Sequence, residues 1–394
     1  MKTSLIFKSN RFHLNAATKW SAARNLLLLL VACLSLTAFA RSQTDSKKDD
    51  KKKKKEPFKV EQLTQAMGLY SLGDISPDRQ SILLLAQRAG EAPNLYVMKL
   101  ADHSIRPPLT SFKLGVADAQ WSPDGLSVAL AAFSEASSFP EIFTLELRSG
   151  KQRRLTTNYF SDKEAVFTPD GKRLLYTSDE SPLPDAAFGT LHIATISVSG
   201  GKPEAFTEDD VSSIHPGISS DGKSVLLVKV DERTGRHSLF QYGFDGKEQR
   251  DLTERKFARI HRYFNAPEGS IILWAQEEAE QQDGIYILDP KNREVRSLPD
   301  PDQPKRNPTI SPDGKRIAFL SPTDLGPQLF VFDSASGEIK QLTTKPGNTH
   351  SPVFVSNNEV MFGSNREKGA QEIFVVDLNQ PVAEEKKKAD EKKK

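Results

Sequence analysis

A Ser/Thr-Pro-Asp-Gly turn recurring every forty-odd residues, short β-branched and aromatic runs between the turns, and a Leu-Thr pair closing each unit predict an all-β chain. One sheet of four short strands cannot bury both of its faces alone, so units of this length stack around an axis. The predicted architecture is a seven-bladed β-propeller of four-stranded antiparallel blades.

The clearest unit spans residues 307–343. Its first turn, Ser311-Pro312-Asp313-Gly314, has Pro where φ must be near −65° and Gly where φ must be positive, and a second turn follows at 334–337. The first turn recurs as Ser76-Pro77-Asp78, Ser122-Pro123-Asp124-Gly125, Thr168-Pro169-Asp170-Gly171, Ser219-Ser220-Asp221-Gly222, Ala266-Pro267-Glu268-Gly269 and a degraded Val355-Ser356-Asn357-Asn358. The acidic positions 78, 124, 170, 221, 268 and 313 lie 46, 46, 51, 47 and 45 residues apart, and seven turns imply seven blades. The closing pair appears as Leu63-Thr64, Leu109-Thr110, Leu155-Thr156, Phe206-Thr207, Leu252-Thr253, Leu298-Pro299 and Leu342-Thr343. The first pair precedes the first turn, and the last unit (350–378) stops after three strands. The N-terminal strand around 60–64 is therefore expected to complete the last blade and remove two exposed sheet edges.

Residues 1–40 read as an export signal. Lys2, Lys8, Arg11, Lys19 and Arg24 precede an apolar run at 26–39, which is short for a membrane span, and Ala38-Phe39-Ala40 supplies small residues for cleavage. Cleavage after Ala40 is the expected processing. Lipidation at Cys33, within the lipobox-like Leu30-Val31-Ala32-Cys33, is the alternative. Cys33 is the only cysteine, so no disulfide forms within the chain. Residues 41–56 read as a Lys-rich disordered tether, 57–380 as the propeller and 381–394 as a charged disordered tail. The chain as a whole carries a net charge of +2, yet residues 57–383 hold 44 acidic against 35 basic side chains. An acidic body excludes nucleic acid as its expected ligand. Membrane contact is then limited to a lipid anchor or the basic tails.

Inner strands are expected at 117–121, 165–167 and 308–310. Second strands at 127–133, 173–177, 224–230 and 316–320 are nearly continuous apolar runs, as strands covered on both faces are. Third strands at 142–147, 285–289, 329–333 and 373–378 alternate large with smaller residues. The third unit is five residues longer, and Pro182, Pro184 and Gly189 place the extra length in a loop at 179–189.

The consensus Ser/Thr-Pro-Asp-Gly-Lys-Arg, then Ile/Leu-Phe/Tyr-Val-x-Asp, then Gly-x-x-x-x-Leu-Thr resembles the WD40-like repeat of the TolB-like propeller family, also found in the propellers of prolyl oligopeptidase-type enzymes. Ser364-Asn365-Arg366 through Glu372-Ile373-Phe374-Val375-Val376-Asp377 is especially similar to the TolB form. The resemblance covers about four fifths of the chain and implies a stand-alone propeller, specific for fold and unspecific for function. It departs from TolB itself, which has six blades behind a separate α/β domain. It departs from the oligopeptidases too, because no nucleophile elbow is present: Gly217-Ile218-Ser219-Ser220-Asp221 has Asp where the second Gly belongs.

In a propeller the first strand of each blade begins at one mouth of the central channel. Counting back from each turn places Asp118, Glu164, His215, His261, Asn307 and His350 at or near that mouth, with Asp74 closer to the turn. His and carboxylate side chains can ligate a divalent cation, but a solvated channel needs polar lining anyway, so no cofactor is expected and a channel cation is the alternative. Acidic loops at 179–185, 231–232 and 277–283 favour a basic peptide or cation. Phe112, Tyr159, Phe160 and Phe257 follow fourth strands, where they stack on a partner or wedge between blades. Asp124, Asp170, Asp221 and Asp313 are turn residues rather than catalytic ones. The expected molecule is an exported, monomeric, non-enzymatic module, periplasmic or secreted, that holds a protein or peptide of the cell envelope at the channel mouth. The alternative is a peptidase- or glycan-related enzyme, or a substrate-gating subunit, working in the channel.

Overall fold

The computed structural model describes residues 56–382, apart from Ala89, Ala136, residues 181–189, Asp209, Asp210, Glu248, Arg255, Gln281, residues 300–302, Lys368 and the Tyr70 side chain. The expected leader, all but the last residue of the tether, all but the first two residues of the tail and most of the long third-unit loop lie outside the described residues.

Every long regular element among the described residues is a β-strand, and every pairing is antiparallel. After β1 (Phe58–Gln62), β2 (Leu69–Ile75), β3 (Ser81–Ala86) and β4 (Asn94–Lys99) form a three-stranded sheet. Four-stranded sheets follow in β5 (Val116–Trp121), β6 (Ser127–Phe133), β7 (Pro140–Glu146) and β8 (Gln152–Arg154), then in β9 (Asp162–Phe167), β10 (Arg173–Ser178), β11 (His192–Ser197) and β12 (Glu204–Ala205). The next eight strands are β13 (Ser212–Ile218), β14 (Val225–Val230), β15 (His237–Tyr242), β16 (Gln249–Asp251), β17 (Phe257–Asn265), β18 (Ile271–Glu277), β19 (Gly284–Asp289) and β20 (Glu294–Ser297). They make one sheet whose two halves meet through a single residue pair, His237 opposite Phe257. A four-stranded sheet of β21 (Arg306–Ile310), β22 (Arg316–Thr323), β23 (Gly326–Asp333) and β24 (Ile339–Gln341) comes next. The last sheet, of β25 (Thr349–Phe354), β26 (Glu359–Ser364) and β27 (Glu372–Pro381), takes β1 as its fourth strand.

The first unit lacks the fourth strand expected before Leu109-Thr110. Its outer edge is reduced to one bridge, Met98 to Ile105, because Pro107 and Pro108 have no N–H to give a ladder.

Second strands form because they carry unbroken apolar runs: Ile82 to Ala86 in β3 and Val128 to Ala132 in β6 are each buried without interruption. Both faces are covered by adjacent sheets. Leu83, Leu85 and Leu95 pack with Val128, Leu130 and Phe143 of the next unit, and Ile82 and Leu84 pack with Met361 and Ile373 of the last. First strands touch in succession, β2 with β5, β5 with β9, β9 with β13, β21 with β25, and β25 with β2.

Two repeated side-chain devices hold the units. In the turns, Ser122 Oγ donates to Asp124 Oδ1 at 2.6 Å and accepts the Ser127 N–H, while Asp124 Oδ1 accepts the Leu126 N–H. The same triangle recurs at Ser76/Asp78, Thr168/Asp170, Ser219/Asp221 and Ser311/Asp313, which explains the repeated Asp as a local hydrogen-bond acceptor. At the end of five units the Thr of the closing pair accepts a third-strand N–H, a bond for which Leu298-Pro299 has no hydroxyl. Leu95 donates to Thr110, Ile142 to Thr156, Ile193 to Thr207, Leu239 to Thr253 and Leu329 to Thr343, each at 3.0 Å.

Candidate functional site

Each first strand carries a β-bulge or a register irregularity, which inserts an unpaired residue and re-aims its side chain. In β9, β13, β21 and β25 that residue is left-handed: Glu164 has φ +57°, His215 +54°, Asn307 +49° and Ser351 +48°. Four non-glycine residues holding this conformation at matched positions is a shared backbone device. It turns their side chains onto the wall of one cavity of about 940 Å³, to which β2, β5, β9, β13, β17, β21 and β25 all contribute.

Asp118, Glu164, His215 and Asn307 line this cavity, and so does Asp74. His261 and His350 do not: the lining residues of β17 and β25 are their successors, Arg262 and Ser351. The His261 ring instead stacks on Trp274 with centroids 4.5 Å apart, and its Nε2 lies 2.9 Å from Asp283 Oδ1, which sets it beside the wall. The His350 ring lies over Gly363, where a Cβ would come within 2.3 Å of it, and meets Gln371 Oε1 at 3.2 Å. A regular offset would have found the true positions. Asp118, Glu164, His215, Arg262 and Asn307 each stand six residues before the turn acid of their unit, and Ser351 stands six before Asn357.

The wall is electrostatically uneven. Acids come from β2, β5 and β9, and Arg262 on β17 is the one Lys or Arg among the described lining residues. Glu164 Oε1 lies 2.8 Å from His215 Nδ1, and Glu164 Oε2 accepts the His215 N–H at 3.1 Å and the Thr177 hydroxyl at 3.0 Å. Burial pushes Glu164 up, but the hydrogen bond and charge of His215, with Arg262 and Lys163 adding, outweigh it and hold the carboxyl at about 2. Asp74 is open to solvent inside the cavity yet surrounded by protein at depth. That depth, with Asp118 beside it, pushes its carboxyl up to about 6 against the opposing pull of Arg262 and Gln120. Burial also raises Asp118, with Arg262 opposing and Glu164 adding. Tyr263 fastens the wall from behind, its hydroxyl donating toward His215 O at 3.0 Å and Leu226 O at 2.9 Å. Gly217 leaves room for that ring, since a Cβ there would lie 2.4 Å from Tyr263 Oη.

Among the described residues no group of three or more His, Cys, Asp and Glu is placed to hold a metal ion. The acidic loops are largely engaged with their own surroundings. Asp179 accepts the Ser161 N–H at 2.6 Å, Asp231 accepts the Arg233 and Thr234 N–H groups, Glu278 pairs with Arg236, and Asp283 binds His261 and Arg306. Of the four aromatics after fourth strands, Phe257 is buried edge-to-face on Tyr286, and Phe112 lies edge-to-face on Phe143, each pair 5.0 Å apart. Tyr159 and Phe160 are exposed.

Comparison with known proteins agrees with this architecture. Over 214 residues the chain is 22% identical to the Tol-Pal system protein TolB of Francisella tularensis subsp. holarctica (strain OSU18), covering 54% of this chain and 46% of that one. Over 169 residues it is 25% identical to the uncharacterized peptidase YuxL of Bacillus subtilis (strain 168), covering 42% of this chain and 23% of that one. The chain thus spans less than half the length of either curated relative. A solved oligogalacturonate lyase in complex with manganese superposes with a TM-score of 0.64 at 16% identity, over 85% of this chain and 96% of the lyase, a likeness of fold alone. A family model described as the TolB beta propeller domain matches residues 58–309, and the chain belongs to that family.

Proposed function

We propose that this chain is an exported, non-enzymatic binding module of the cell envelope that engages a protein or peptide in its axial channel. The single observation that carries the reading is the wall itself: polar and charged side chains from seven successive first strands, four of them set by left-handed backbone, converge on one solvent-open cavity. Backbone strain held at matched positions is expected where a surface must be pre-organised for a ligand. The family likeness to a protein of the Tol-Pal system supports an envelope location. Residues 1–40 supply the export signal, cleaved after Ala40, or at Cys33 if lipidated. The channel belongs to a seven-bladed ring in which the eight-stranded sheet counts as two blades and β1 closes the last. In support, the halves of that sheet share one residue pair, and each half sends its own first strand to the wall.

The test is a photo-crosslinking residue at Asn307 in intact envelopes, with Ser336 on an outer turn as control. One discrete adduct from position 307, lost in Asp118→Asn or Arg262→Gln, is expected. No adduct from a folded protein removes the reading.

A second reading rests on the Glu164–His215 pair. Glu164 holds Nδ1, so the ring is oriented as a general base is, with Nε2 left for a substrate. On that reading the channel belongs to a peptidase- or glycan-related enzyme, or to a substrate-gating subunit. Turnover of a peptide or glycan panel, with or without divalent metal, that His215→Ala abolishes would establish it.

A further inference from the structure

Exposed apolar side chains gather at one mouth of the channel. In an antiparallel four-stranded unit the start of the first strand and the second-to-third loop lie at the same edge, so the segments before β5 and β9 and the β6–β7 loop open on one face. They carry Leu114 (56% exposed), Tyr159 (83%), Phe160 (37%) and Phe139 (38%). The other two exposed large apolar residues among those described, Leu126 and Phe244, sit in turns at the opposite edge. These loops are fastened: Lys113 pairs with Glu135 at 2.7 Å, and Asn158 donates to Glu180 at 3.1 Å. Aromatic side chains left open on fastened loops mark a contact surface rather than slack chain.

The spacing to the wall is the same in both units. Leu114 stands four residues before Asp118, and Phe160 four before Glu164. At roughly 3.3 Å per strand residue, that is at most ~13 Å from rim to carboxylate. The wall under this rim carries three acids, Asp74, Asp118 and Glu164, faced from β17 by the single Arg262.

We propose that rim and wall form one recognition surface for an extended basic peptide. An aromatic or large aliphatic side chain lies on Tyr159, Phe160 and Phe139, and a Lys or Arg about four residues further along reaches Asp118 and Asp74, a spacing set by the strand rise. The inference rests on the channel being a peptide site and adds which side chains it reads. Charge complementarity selects the cation, and the apolar rim selects what precedes it.

The experiment titrates full-length protein into the fluorescein-labelled peptide Ser-Phe-Gly-Ser-Gly-Lys-Ser-Gly, read by anisotropy at low salt, beside forms with Phe or Lys replaced by Ser. Either replacement, the double variant Tyr159→Ser/Phe160→Ser, or Asp118→Asn is expected to weaken binding about tenfold, with the unfolding temperature of the rim variant unchanged. If Asp118→Asn weakens binding while the rim variant and the Phe-less peptide do not, the channel reading stands and the rim inference is overturned. If the labelled peptide does not bind, or Asp118→Asn is neutral as well, both fall. If the rim variant only turns a dimer into a monomer in sedimentation, the rim serves a second copy of the chain and the proposal is wrong.

Discussion

Thr64 and Ile373, 309 positions apart, share a 2.9 Å hydrogen bond in which the Ile373 N–H donates to the Thr64 hydroxyl oxygen. The five matching bonds elsewhere join residues 14 or 15 apart within a unit. Thr64 also donates to Glu372 Oε2 at 2.7 Å, and the Leu63 N–H donates to Ile373 O at 2.8 Å. The chain's N-terminal strand thus makes, across the whole sequence, the bond that five other units make internally.

Thr64→Val keeps the shape and leaves the buried Ile373 N–H without its acceptor. A loss of about 1–3 kcal/mol in unfolding free energy is expected, measurable by urea titration followed by tryptophan fluorescence. An unchanged midpoint would show that the pairing of β1 with β27 does not depend on this bond.

Asp74 gives a pH-dependent expectation with a definite sign. Its folded carboxyl titrates near 6, above the 3.8 of an unstrained aspartate, so between those values the folded state holds the extra proton. Its ionisation therefore costs stability above pH 6, and that cost disappears as pH falls to about 4. Asp74→Asn is expected to raise the melting temperature at pH 7.5 and leave it unchanged at pH 3.5. A uniform shift at both would point to packing instead.

Glu164 runs the other way. Its folded carboxyl is held at about 2, below the 4.5 of a free glutamate, so its stabilising contribution is complete above pH 4.5 and is lost as pH falls toward 2. Glu164→Gln is expected to destabilise at pH 6 and to lose that effect near pH 2, followed by circular dichroism.

Ser351 holds φ +48° without being glycine. Ser351→Gly is expected to gain up to about 1 kcal/mol by releasing strain, and Ser351→Val to lose about 1–3 kcal/mol, since a β-branched residue tolerates this region poorly. The opposite order in thermal melts would refute the strain.

Tyr263→Phe removes a hydroxyl bound to two carbonyl oxygens, His215 O and Leu226 O. About 1–2 kcal/mol of stability should be lost. Loosened His215 should appear as faster deuterium exchange at its amide.

The turns made the fold legible because they satisfy themselves. Ser122, Asp124 and Gly125 close their hydrogen bonds within six residues, so neither their spelling nor their spacing depends on distant sequence. Glu164, His215 and Asn307 were legible for the same reason, lying at a fixed distance from such a turn. His261 and His350 drew the eye because a His is the more chemically suggestive residue, whereas the cavity is lined by the next residue, Arg262 or Ser351. That choice is made by left-handed backbone at Ser351 and by cross-strand register in β17, which composition does not announce. The single pairing of His237 with Phe257, joining two units into one sheet, is likewise a tertiary event without a local signature.

Residues 118, 262, 307 and 351 hang from four different first strands, each a separate spoke of the cavity wall, whereas Glu164 and His215 are bound to one another across two. Ligand preference in such a molecule can be rewritten one spoke at a time, and a library varied at residues 118, 262, 307 and 351 alone would explore new specificities without asking the scaffold to change.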